Sequence, residues 1–121
     1  MVSKNFKRSE FACQCGCGFD AVDVELLQVL QDVRDHFGKK THINSGCRCI
    51  RHNQYVGGDD DSQHLISKAA DIVVFWVNPV FVADYLNRKY PDKFGIGRYT
   101  DFTHVDVRAE KARWGWRHSI R

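Results

Sequence analysis

The chain has 121 residues, of which 43% are hydrophobic and 12% aromatic, and a formal net charge of +3. That length can bury one core but not two, and the composition excludes a disordered chain. No apolar run approaches the ~18 residues of a membrane span, which argues against insertion, and the modest positive charge suits an anionic wall and a nucleic acid equally well.

Met1-Val2-Ser3-Lys4-Asn5-Phe6-Lys7 lacks the apolar core of a secretory signal. Cys13-Gln14-Cys15-Gly16-Cys17 follows and is answered later by Cys47-Arg48-Cys49. Without an export signal, three readings of these cysteines stay open: a disulfide between the two clusters, a second, cysteine-bound metal ion, or free buried thiols. The Cys-x-Cys spacing departs from the Cys-x2-Cys knuckle of structural zinc, and the odd count argues against simple pairing. Asp23 to Gly38 reads as a helix with Leu26, Leu30, Val33 and Phe37 on one face, Asp23 capping its start and Gly38 ending it. Thr41-His42-Ile43-Asn44 is a short strand leading to Ser45-Gly46-Cys47-Arg48. His52 to Gly58 reads as a tight loop, and Asp59-Asp60-Asp61 as a solvated one.

Ala69-Ala70-Asp71-Ile72-Val73-Val74-Phe75 has the β-branched, apolar character of a buried strand, with Asp71 its one charge. Pro79 to Lys89 is a second helix, with Asn78 as N-cap and proline at the first helical position. Gly95 to Tyr99 and Phe102 to Val107 form an antiparallel hairpin with Asp101 at its turn. Its alternation places Phe102, His104 and Asp106 on one face. From about residue 109 a basic tail carries Arg113, Trp114, Trp116, Arg117, His118 and Arg121. Trp114 is expected to pack back on the domain. The whole, residues 1–121, is expected to be one α+β domain with a small antiparallel sheet packed by helices.

A lone carboxylate in a core strand needs a cationic or hydrogen-bonding partner, and a single half-buried histidine is ordinarily a satisfied core residue. His64, Asp71 and His104 taken together read differently. Two imidazoles and a carboxylate are a ligand set that holds zinc and leaves one position for water or substrate. Asp101, three residues before His104, can stand beside such an ion without ligating it, where a general base belongs.

Ser62-Gln63-His64-Leu65-Ile66-Ser67-Lys68-Ala69-Ala70-Asp71 and Asp101-Phe102-Thr103-His104 resemble the motifs of the zinc D-alanyl-D-alanine carboxypeptidase family. That family includes phage L-alanyl-D-glutamate peptidases and shares its fold with the Hedgehog signalling domain. The resemblance runs from about Asn5 to Trp114, and Ser67 stands where the pattern has glycine. It implies one catalytic Zn2+ on His64, Asp71 and His104, with Asp101 as base. It also implies that Arg48, in its Ser-Gly-x-Arg turn, hydrogen-bonds the scissile carbonyl or a neighbouring carboxylate. Ser62 and Asn53 fall on the substrate or supporting side, and His52 or Asn53 would brace the site. Asp106 either holds His104 or pairs with Arg108 or Arg98.

The implied activity is hydrolysis of amide bonds in peptidoglycan stem peptides, as a D,D-carboxypeptidase or an endolysin-type endopeptidase. Monomeric enzyme, no nucleic-acid partner and no membrane insertion are expected. The protein would stay in the cytoplasm until released to the cell wall, or be virion-associated if phage-encoded. Two other readings are a non-catalytic, zinc-containing wall-binding module on the same fold and a cysteine-metal nucleic-acid module. The first needs neither Asp101 nor Arg48, and the second leaves His64, Asp71 and His104 unexplained.

Overall fold

Asp23 begins the first long helix as its side chain accepts from the Glu25 and Leu26 amides, and Gly38 ends it at φ 64°. Helix α1 spans Val24–Phe37 and buries Leu26, Val29, Leu30 and Val33, while Phe37 is only partly buried against the core. A computed structural model describes residues 3–59 and 62–116. The acidic residues Asp60 and Asp61 and the basic Arg117, His118 and Arg121 lie outside the described residues.

Strand β1, Thr41–Ser45, follows α1. Part of the segment read from sequence as a loop instead forms a short helix, α2, over Ile50–Tyr55. The Cys49 sulfur accepts from the His52 amide at its start, a capping role that sequence reasoning ordinarily gives to Ser, Thr, Asp or Asn. Strand β2 is Ala69–Val74, α3 is Pro79–Lys89, β3 is Gly95–Arg98, and β4 is Thr103–Asp106. The Asn78 side chain caps α3 by accepting from the Val80 amide.

The expected sheet is corrected in one respect. Residues read as a tail form a fifth strand, β5, at Ala112–Trp114, which pairs with β3 in parallel. The order is β1-β2-β4-β3-β5, so an antiparallel sheet of four strands gains a parallel edge and becomes mixed. A three-residue strand with no alternation has too little pattern to be read from sequence; pairing with β3 is what makes it a strand.

The two faces of the sheet differ completely. Ala70, Ile72, Val74, Ile96 and Val105 point to one side and form a core with the apolar faces of α1 and α3. Phe6 and Phe11, from the N-terminal segment, are buried in the same core. The two helices are also joined at Asp32 of α1, which accepts from Tyr85 Oη at 2.8 Å and Lys89 Nζ at 2.9 Å. Burial pushes the Asp32 carboxyl up, yet Lys89 and Tyr85 hold it below its ordinary value. The other face of β2 and β4 carries Asp71, His104 and Asp106.

Ser67 ends the 3-10 turn at Gln63–Ile66 with φ 62° and ψ 24°. A Cβ costs about 1–2 kcal/mol in this left-handed conformation, more than the ~0.5–1 kcal/mol entropic cost of glycine. The Ser67→Gly variant is therefore expected to be more stable by up to about 1 kcal/mol, seen as a higher urea midpoint at unchanged slope.

Candidate metal centre and cleft

Strand register brings the charged residues together. Asp71 on β2 stands directly opposite His104 on β4, and residues paired this way point to the same face. The row continues from His104 to Gly97 on β3 and from Gly97 to Trp114 on β5. On the other side, an irregularity between Ile43 and Ser45 puts Ser45 opposite Asp71. His64 reaches this row from outside the sheet, on the 3-10 turn that the Ser62 hydroxyl caps by accepting from the His64 amide. A ligand atom of each of His64, Asp71 and His104 lies within 4.8 Å of the others.

Each imidazole is oriented by a partner on its far side. His64 Nδ1 lies 2.6 Å from the Gly46 carbonyl oxygen. A carbonyl can only accept, so this nitrogen donates, and Nε2 is the nitrogen that faces Asp71 Oδ1, at 3.5 Å. His104 Nε2 lies 2.7 Å from Asp106 Oδ2, and its Nδ1 lies 2.9 Å from Asp71 Oδ1. Asp106 is fully buried and also accepts from Arg108 Nε at 2.7 Å and Nη2 at 2.8 Å. Asp106 therefore contacts both His104 and Arg108, while Arg98 is 3.8 Å from Asp84.

Burial pushes Asp106 up, but His104 and Arg108 together hold it well below the usual carboxylate range. With Asp106 kept anionic, His104 Nε2 is the donor and Nδ1 is left facing Asp71. Asp71 is likewise raised by burial and lowered further by His104 and His64, ending well below the ordinary range. Burial disfavours a charged His104, but Asp106 and Asp71 raise it above its usual value. Two ring nitrogens and a half-buried carboxylate oxygen thus meet in one place that favours positive charge. A proton on His104 meets that need partly, whereas a divalent ion suits all three donors. The donor set fits a metal of the zinc type.

Arg48 arrives from the turn after β1. Its Nη1 donates to Asn53 Oδ1 at 2.8 Å, and its Nη2 is 3.9 Å from Asp71 Oδ2. Asn53 is buried and donates from Nδ2 to the Asp59 carbonyl at 2.8 Å. Asn53 thus supports Arg48, while His52, also on α2, is not part of the cleft wall. The cleft above the row has a volume of about 670 Å³, and Arg48, His64, Asp71 and His104 line it.

Its opposite wall is aromatic and was not assigned to the site from sequence. Tyr99 and Phe102 stack with ring centroids 4.3 Å apart, and Trp114 donates from Nε1 to Tyr99 Oη at 2.9 Å. The Trp114 ring centroid is 5.1 Å from that of His104. Gly97 allows this approach, since a Cβ there would run into the indole. The missed signal was strand pairing, which no local pattern around Trp114 announces.

Asp101 sits exposed on the turn between Tyr99 and Phe102 and is not among the cleft-lining residues. Asp59, by contrast, lines the rim.

The cysteines divide four to one. Cys13, Cys15, Cys17 and Cys49 gather into a second cluster with sulfurs within 4.8 Å of one another. Cys47 is buried and donates its thiol to the Phe11 and Phe19 carbonyls, both at 3.1 Å. Burial opposes ionisation of Cys13, but the Cys49 and Cys15 amides and neighbouring thiols lower it to about 7. Its neighbours Cys17 and Cys13 push Cys15 up to about 12.

Asp106→Asn keeps the shape but removes the charge that orients His104. A lost supporting partner typically weakens metal binding by about 10–100-fold. That loss is expected in competition titrations with a chromophoric chelator, with the fold checked by circular dichroism.

The model of the Peptidase M15 family matches residues 4–106 of the chain, a span that includes His64, Asp71, His104 and Asp106 but ends before Trp114. None of the curated proteins compared with the chain matches it.

Proposed function

Because the chain belongs to the Peptidase M15 family, we propose that it is a zinc-dependent peptidase that hydrolyses amide bonds in the peptide stems of bacterial peptidoglycan. The observation that carries the reading is the convergence of His64 Nε2, His104 Nδ1 and an Asp71 oxygen on one point at the floor of a cleft. His64, Asp71 and His104 would hold the ion, which when bound lowers the pKa of a coordinated water to about 7 and polarises the substrate carbonyl.

The remaining chemistry belongs to this chain's own groups. Arg48, held by Asn53 through one nitrogen, has its other terminal nitrogen toward Asp71, where it can donate to the scissile carbonyl oxygen or to a neighbouring substrate carboxylate. A fixed donor aimed at developing negative charge is worth several kcal/mol, about 3–4 for one oxyanion-hole donor. Asp106 keeps the His104 ring from turning as charge builds up in front of it. Tyr99, Phe102 and Trp114 form an apolar wall that can take the aliphatic parts of a stem peptide, and the polar rim opposite can take its carboxylates.

Proton transfer is assigned to Asp101, which would take a proton from the attacking water and return it to the departing amine. Its place three residues before His104 is what supports this reading. Asp101→Asn is expected to retain zinc and lose about 10²–10⁴-fold in kcat. Asp59→Asn is the control; a loss in Asp59→Asn with full activity in Asp101→Asn would move the role to the rim carboxylate.

No helix among the described residues is long and apolar enough to cross a membrane. The direct test is mass spectrometry of peptidoglycan fragments after digestion, with chelator and with zinc restored. Paired new amine and carboxyl ends that vanish with chelator and return with zinc are the expected result, and their position separates carboxypeptidase from endopeptidase. Fragments left intact by zinc-replete protein would favour a wall-binding module instead, testable by sedimentation with insoluble wall.

A further inference from the structure

The cysteine cluster takes no part in the proposed hydrolysis. Cys13, Cys15 and Cys17 lie on one turn and Cys49 begins α2, yet all four sulfurs meet. Cys13 and Cys15 are 3.5 Å apart, Cys13 and Cys49 3.8 Å, and Cys15 and Cys49 3.7 Å. Tetrahedral coordination with Zn–S bonds of about 2.3 Å places sulfurs about 3.8 Å from one another. A disulfide would draw two of them to about 2.05 Å, whereas all four are free thiols.

We propose that Cys13, Cys15, Cys17 and Cys49 bind a second ion, a structural zinc with four thiolate ligands and no open position. The Cys-x-Cys-x-Cys spacing, unusual for such a site, is accommodated by the backbone. The Gly16 amide donates to the Cys13 carbonyl at 3.2 Å, and Gly16 adopts φ 82°, which folds Cys17 back toward the two preceding sulfurs. Amides already point at the ligand atoms: Cys49 N–H donates to Cys13 Sγ and His52 N–H to Cys49 Sγ, both at 3.4 Å. Such donors stabilise thiolate charge. Cys47 is excluded because its thiol is committed as a donor to two carbonyls.

The ion would staple the N-terminal turn to the residue immediately after Arg48. Two further bonds run the same way, from the Cys47 amide to the Phe11 carbonyl at 3.0 Å and from Gln14 Nε2 to the Asn44 carbonyl. The second ion therefore fixes the loop that presents Arg48 to the cleft, without touching substrate. This proposal shares no ligand with the His64 centre and stands or falls independently of the peptidase reading.

The test uses the full chain produced in cobalt-supplemented medium under reducing conditions. Expected are two cobalt ions per chain and a thiolate-to-cobalt charge-transfer band in the near ultraviolet, which the sulfur-free His64 centre cannot produce. In Cys15→Ser/Cys17→Ser the band should vanish and the metal content fall to one, while His64→Ala should keep the band. Absence of the band from the unsubstituted chain overturns the proposal. So does a count below five titratable thiols in the chain denatured and stripped of metal under anaerobic conditions, since that would show disulfides already present.

Discussion

The pairing of Asp71 with His104 across β2 and β4 is the constraint on which the site depends. Side chains alternate along a strand, so the register that turns Ala70, Ile72 and Val105 into the core necessarily turns Asp71 and His104 to the other face. Slippage by one residue would bury a carboxylate among α1 and α3 and expose the apolar side chains. The same hydrophobic pattern that stabilises the sheet thus selects the geometry of the cleft. Site and core are two faces of one set of strands.

A buried acidic cluster is costly unless its charge is matched. Here the matching is layered. Arg108 neutralises Asp106, Asp106 fixes His104, and His104 and His64 together face Asp71. The outer part of this chain, Asp106 and Arg108, is complete within the polypeptide. The inner part, around Asp71, meets two imidazole nitrogens and, at 3.9 Å, Arg48 Nη2, and is the part with the donors to hold an ion. That asymmetry distinguishes a supporting ion pair from a ligand set, although both consist of the same residue types.

The cleft is also held from two directions outside the central strands. The N-terminal segment packs Phe6 and Phe11 into the core and hydrogen-bonds to the loop that carries Arg48. At the other end, β5 adds Trp114 to an aromatic wall that leans on His104. A chain of this length has little core to spare, so a site built from distant segments relies on such braces. The gathered cysteines lie on the first of them.

How much of this was readable from the residues depends on whether the signal is local. The two long helices, with Asp23, Gly38 and Asn78 at their ends, follow from periodicity and capping chemistry, which operate within a few residues. Strands β2, β3 and β4 follow from apolar runs and alternation. The grouping of His64, Asp71 and His104 followed from donor chemistry and the resemblance of their motifs. Strand β5, helix α2 and the selection of four cysteines out of five have no local signature. Strand β5 exists because β3 pairs with it, α2 is a short helix capped by a sulfur rather than by a usual capping residue, and the four cysteines are selected by where the chain brings their sulfurs together. The dual partnership of Asp106 is local, since His104 and Arg108 each lie two residues away along the chain, whereas nothing local to Asp101 says that its turn leaves it exposed outside the cleft wall. Sequence by itself determined which chemistry the chain carries, because side-chain identity sets the donors. Tertiary structure decided which of those donors meet, because contact between distant residues is settled by register and packing rather than by position along the chain.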